Sequence, residues 1–170
     1  MAMRIVKWIA AGVALTIVAV SLLWARTCGP LRDPEDALAD FYEARNRAED
    51  QLRDPLILAG SDVVPLVIEA VAWRDMPLRR YAISYLGIAR QPEAASVLTE
   101  ILRDEAEIDY FRSDALQALY RIDRSLAASL AVRYGNREDL LGPIASRIAS
   151  GTYSPGHDRT WWEAFRSVHH

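Results

Sequence analysis

The chain has 170 residues, 51% of them hydrophobic, with a formal net charge of −3. About 30 residues form an apolar N-terminal segment and its flanks, and the rest suit one compact domain. From Thr27 onward 17 arginines face 23 carboxylates, a net −6 with no basic stripe. That balance argues against nucleic-acid binding, because phosphate neutralisation supplies most of that affinity.

Met1 to Lys7 is short and basic. Trp8 to Ala25 (WIAAGVALTIVAVSLLWA) carries no charge. As a helix it would extend about 27 Å, close to the thickness of a hydrocarbon core. Trp8 and Trp24 stand at its ends, Leu15 and Leu22 within it, and Lys7 and Arg26 bracket it. Indole rings prefer the membrane interface. The expectation is one uncleaved membrane helix and a lipid-bilayer contact over residues 1–27. A signal peptide cleaved after Ala19-Val20-Ser21 is the competing reading, but the apolar run continues through Leu22, Leu23 and Trp24. Cys28 is the only cysteine, so neither an internal disulfide nor a cysteine-based metal site can form. It follows Ala25-Arg26-Thr27, which lacks the small residue that precedes a lipidated cysteine. Positive charges are nearly balanced across the apolar run; a short basic N-terminus usually stays in the cytoplasm. The expected location is therefore the inner membrane, single-pass, with the domain extracytoplasmic.

Residues 28–60 read as a linker and a leading amphipathic helix. Asp33-Pro34-Glu35-Asp36 is a helix start: a capping carboxylate, a proline at the first helical position and acids near the positive end of the dipole. The pattern of Leu38, Phe41, Tyr42, Arg45, Ala48 and Leu52 predicts a helix to about Arg53. Asp54-Pro55 ends or kinks it, and Pro55 to Gly60 reads as one more apolar turn.

Residues 61–151 read as three helix pairs: 62–74 with 77–90, 92–103 with 110–123, and 125–134 with 137–150. No stretch alternates with the period of a strand, so the chain reads as all-α. Sliding the sequence by 33 residues sets Leu78 on Phe111, Arg79 on Arg112, Ala82 on Ala115 and Leu86 on Leu119. A fixed period of this size marks a helical array. Residues spaced by four share a face, so Leu78, Ala82 and Leu86 with Phe111, Ala115 and Leu119 are the expected seam between layers. Gly135 and Gly151 fall where left-handed helix caps are expected, and Gly142-Pro143 is expected to interrupt the last helix. Residues 152–170 leave the period, and Arg159 to Val168 can form a short helix bearing Trp161, Trp162 and Phe165.

The segment Leu78-Arg79-Arg80-Tyr81-Ala82-Ile83-Ser84-Tyr85-Leu86-Gly87, with its second copy Phe111-Arg112-Ser113-Asp114-Ala115-Leu116-Gln117-Ala118-Leu119-Tyr120, resembles the HEAT-like repeat of the phycobilisome-lyase type. The second copy departs at the glycine, which is Tyr120. The family often sets Asp before Arg at the turn, a part open to Asp75 and Asp109. The resemblance covers about residues 61–134 and implies a short α-solenoid following the membrane helix. Such repeats are mostly binding scaffolds, and the resemblance carries no lyase activity across.

Arg79 and Arg112 are expected to form an arginine–aspartate ladder with Asp75, Asp109 or Asp114; the alternative is an acidic partner. Arg80, Ser84, Ile88, Ser113, Gln117 and Arg121 lie opposite the seam and read either as a solvated face or as the surface for a protein partner. Trp161 and Trp162 either cap the open end of the stack or dock on a partner or bilayer. Asp104, Glu105, Glu107 and Asp109 lack the glycine and spacing of a calcium loop and read as a solvated turn. His157, His169 and His170 all lie in the tail, and HEAT-like enzymes that hold iron use His-Glu pairs inside the repeats. With no nucleophile motif, phosphate loop or paired catalytic acids, the chain is expected to be non-catalytic and to need no cofactor or metal. The leading reading is a membrane-anchored adapter or accessory subunit of a membrane or envelope complex. The alternatives are a lyase-like or chaperone-like maturation factor and a cytoplasm-facing signalling adapter.

Overall fold

A computed structural model describes residues 33–168, and these are all-helical, with no strand among them. The expected membrane helix, with Trp8, Leu15, Leu22 and Trp24, lies outside the described residues. Among the described residues no helix is long and apolar enough to cross a membrane. Nine α-helices are described: α1 (Pro34–Glu43), α2 (Asp54–Ala59), α3 (Val64–Val71), α4 (Arg79–Ala89), α5 (Ala95–Arg103), α6 (Asp109–Ile122), α7 (Arg124–Ala131), α8 (Leu141–Ala149) and α9 (Trp161–Val168).

α1 begins as its sequence dictates. The Asp33 carboxylate accepts from the Glu35 amide at 2.9 Å, and Pro34 opens the first turn. The helix stops at Glu43 rather than near Arg53. Its buried positions are Ala37, Phe41 and then Ala44 just past its end. Past Ala44 the polar run Arg45 to Arg47 offers no apolar residue to hold another turn against the core. The chain instead leaves through two short 3-10 turns joined by extended Arg47 and Ala48, which bring Leu52 back to the core. Asp54-Pro55 opens α2 instead of closing α1, since a proline in the first turn sacrifices no hydrogen bond.

α6 is the central element and packs against α4, α5, α7 and α8. Ala82, Leu86, Ala115 and Leu119 are fully buried, as the four-residue spacing requires, with Leu78 and Phe111 half-buried at the ends of the same rows. Gly87 sets how closely α4 and α6 approach: a Cβ there would stand 2.7 Å from the Ala118 Cα. The equivalent place one period on is Tyr120, whose ring meets Tyr153 edge-on at 5.0 Å. The departure from glycine therefore falls where the C-terminal tail begins to pack.

Gly142 and Pro143 belong to the first turn of α8 and do not interrupt it. The Asp139 carboxylate accepts from the amides of Leu141 and Gly142, and Pro143 needs no partner there. Gly142 is required by crowding, because a Cβ would lie 1.9 Å from the Arg137 carbonyl oxygen. Gly151 adopts the left-handed conformation (φ +71°) after α8, whereas Gly135 does not and sits in an ordinary turn.

Candidate functional site

Arg79 and Arg112, one period apart, make matching contacts. The Arg79 Nε donates to the Val71 carbonyl at 2.7 Å, and the Arg112 Nε donates to the Leu102 carbonyl at 3.0 Å. Each guanidinium thus sits on the negative end of the preceding helix, α3 or α5, where unpaired carbonyls accept. Each also lies over an aromatic ring of the next layer: Arg79 over Phe111 at 5.1 Å, Arg112 over Tyr134 at 5.5 Å. None of the expected aspartates pairs with Arg79 or Arg112: Asp75 is exposed with no ion pair among the described residues, and the other two take other partners. Arg79 pairs at 2.5 Å with Glu107, a buried residue of the turn that reads from sequence as solvated. Asp114 pairs with Arg80, and Asp109 with Arg137. Arg112 is 1% exposed and has no ion pair among the described residues. The other acids of that turn face Arg74 (Asp104) and Arg133 (Glu105), which stitches neighbouring turns together.

The tail turns back across the second-helix face. The Tyr153 hydroxyl donates to the Gln117 side-chain oxygen at 2.8 Å. Asp158 accepts from Arg121 at 2.7 Å and from Arg90 at 3.2 Å. Arg159 then reaches Asp54, 105 residues earlier: its Nε lies 2.5 Å from one carboxylate oxygen and its terminal nitrogen 3.0 Å from the other. Ser167 donates a further hydrogen bond to the same carboxylate, which is fully buried, and α9 packs against α2. α9 starts with a capping box. The Thr160 amide and hydroxyl donate to the Glu163 carboxylate at 2.7 and 2.8 Å, and the Glu163 amide donates to the Thr160 hydroxyl at 3.3 Å. These bonds, with a smaller contribution from His157, pull the Glu163 carboxyl down to about 2.

What the tail leaves uncovered is a groove of about 710 Å³ between α6 and the start of α8. Its floor is largely apolar, from Tyr110, Leu140, Pro143 and Ile144. Leu140 is 64% exposed and Tyr110 is also open to solvent, so the floor is apolar surface in water. Carboxylates border it. Asp114 pairs with Arg80 at 2.9 Å, and burial pushes its carboxyl above the ordinary value while Arg80 pulls the other way. Asp109 and Asp139 share Arg137. Glu138 is exposed and has no ion pair or hydrogen bond among the described residues. Among the described residues the groove thus offers carboxylates, the Arg80 guanidinium at its rim and apolar surface. A second groove of about 440 Å³ lies beside α1, between Tyr42, Leu66 and the exposed Trp73.

The residues expected to form one open face divide between the first groove, partly buried positions and contacts with the tail. Arg80 is exposed at the rim of the groove. Ser113 is only 5% exposed, because α6 is packed from several sides, and its hydroxyl accepts from Gln117 at 3.4 Å. Ser84 accepts from Arg53 at 2.8 Å and is half-buried, as is Ile88. Gln117 and Arg121 hold the tail. Trp161 is half-buried and stacks on Phe165 at 5.1 Å; Trp162 meets it edge-on and is 58% exposed. Tyr110, Glu138, Leu140 and Ile144 were not legible as site residues. Only the apolar Leu140-Leu141 pair beside Glu138-Asp139 hinted at them. Comparison with family models, curated proteins and solved structures returns no match.

Proposed function

We propose that this chain is a membrane-anchored, non-catalytic adapter, an accessory subunit of a membrane or envelope complex. In this reading residues 1–27 anchor it, the domain stands outside the cytoplasm, and α3 to α8 form a short HEAT-like solenoid. The matching contacts of Arg79 and Arg112, 33 residues apart, support the solenoid. The observation that carries the binding role is the open groove on the second-helix face: an exposed apolar floor with an acidic rim, beside helices otherwise locked by their own tail. Short helical stacks present such faces to protein partners.

The test is gentle-detergent purification of the full-length protein from its native membrane, with co-purifying proteins identified and quantified. A partner held in fixed stoichiometry supports the adapter reading. Recovery alone, carrying a small molecule or covalent chromophore, overturns it. Topology is read separately, by labelling a Val132→Cys variant in a Cys28→Ser background with a membrane-impermeant maleimide; Val132 is well exposed. Labelling in intact cells supports an extracytoplasmic domain, and labelling only after lysis refutes it.

A further inference from the structure

We propose that the groove between α6 and α8 docks a cationic segment of a partner protein that carries apolar side chains on one face. This rests on the adapter reading above and names the chemistry of the partner. The groove presents two features together. Its floor exposes apolar surface from Tyr110, Leu140 and Ile144 that no part of the described chain covers. Its rim carries four carboxylates, Asp109, Asp114, Glu138 and Asp139, against two arginines, Arg80 and Arg137. The excess is two negative charges, and Glu138 is without a partner among the described residues.

The groove already holds one guanidinium. Arg80 lies over the Tyr110 ring at 5.9 Å while its Nε donates to Asp114 at 2.9 Å. An aromatic face beside a carboxylate is a receptor for a guanidinium or ammonium group. Further along the groove the exposed carboxylate of Glu138 lines the same surface as the apolar Leu140 and Ile144, so a second cation can be met there by charge and its stem by apolar contact. A partner helix with basic residues toward Glu138 and Asp109 and leucine-like residues toward Leu140 and Ile144 would match both features. An acidic segment meets repulsion at the rim, and a basic segment without apolar residues leaves Leu140 in water.

The experiment uses the full-length protein in mild detergent and a fluorescein-labelled peptide bearing Arg and Leu at helical spacing. A peptide with Glu in place of Arg is the control. The variants are Glu138→Lys and Leu140→Ser, both at exposed positions outside the core. Anisotropy should show the Arg/Leu peptide bound, weakened by added salt. Each variant should weaken it by roughly fivefold or more: Glu138→Lys replaces an attraction with a repulsion, and Leu140→Ser removes the apolar contact without changing the charge. Equal affinity for the Glu/Leu peptide, an unchanged affinity in both variants, or no binding overturns the proposal. The same variants separate it from the adapter reading. If a stoichiometric membrane partner is retained undiminished by both, the adapter stands and the groove assignment falls. Should the peptide bind as described while no protein co-purifies from the membrane, the groove assignment stands and the adapter reading falls.

Discussion

Replacing Arg159 with Ala removes the side chain that neutralises Asp54. The carboxylate is fully buried beneath the tail, while the Arg159 side chain keeps a 16% path to solvent. The two partners therefore respond unequally. Arg159→Ala leaves a buried charge with only the Ser167 hydroxyl as a side-chain donor among the described residues. Breaking a buried pair in this direction costs about 3 kcal/mol or more. Asp54→Ala leaves a guanidinium that can turn to Asp50, 3.1 Å away, and to water; its cost should be about 1–2 kcal/mol. For a domain of this size 3 kcal/mol corresponds to a melting temperature lower by about 10 °C. If the tail lifts before the rest unfolds, the same energy appears as amide exchange of 161–168 about a hundredfold faster. Thermal unfolding by circular dichroism and hydrogen exchange, both on the full chain in mild detergent, read these two routes. An Arg159→Ala protein that melts within 2 °C of wild type (well under 1 kcal/mol by the same scaling) with its tail still protected would refute the reasoning. So would a larger loss from Asp54→Ala than from Arg159→Ala.

Arg79→Met strands the buried Glu107 carboxylate and the Val71 carbonyl, and should lower stability by about 3 kcal/mol. Adding Glu107→Leu should recover much of that, and a double-mutant cycle on melting curves measures the coupling. Gly87→Ala would stabilise an isolated helix by about 1 kcal/mol, yet here it should destabilise by about 1–2 kcal/mol, because the Cβ meets the α6 backbone; a rise in melting temperature refutes the close approach. Glu163 gives a pH test. Its carboxyl is held below the ordinary value, so the α9 cap is fully present above pH 4.5 and is lost as pH falls through about 2. A carbon-detected titration of Glu163 and the acid-range helicity of α9 check this, and an ordinary midpoint near 4.5 would defeat the capping box.

Periodicity made the helices and their buried faces legible. Ala82, Leu86, Ala115 and Leu119 recur at a spacing that only one helical face satisfies, and all four are buried. It also made Arg79 and Arg112 equivalent before any contact was known. It did not reveal what they touch, because the partners are a helix-end carbonyl and a turn glutamate whose positions depend on loop paths. Ser113 shows a related limit: a residue opposite one seam is exposed only if no second neighbour arrives, and α6 has neighbours on several sides. The spacing of Trp161, Trp162 and Phe165 marks the tail helix but not its first residue, which the capping box Thr160-Trp161-Trp162-Glu163 sets in the structure. The return of Arg159 to Asp54 carries no such signal, since Asp before Pro reads equally well as a helix start.

One electrostatic difference accounts for the two fates of the second-helix face. The half bearing Arg90 and Arg121, with Asp54 beyond, alternates in sign, and the Asp158-Arg159 pair of the tail matches it: acid to the two arginines, base to the buried carboxylate. The other half is bordered by Asp109, Asp114, Glu138 and Asp139. A tail that spends its one arginine of the 152–160 stretch on Asp54 has no cation left for that border. Desolvating Glu138, which has no partner among the described residues, under a neutral strap would be unfavourable, so the tail passes over one half and leaves the other in water. The apolar floor between Tyr110 and Ile144 then stays uncovered by the described residues, whose tail brings no arginine to it. Under the docking proposed above, a partner segment with its own positive charge covers that floor and pairs Glu138.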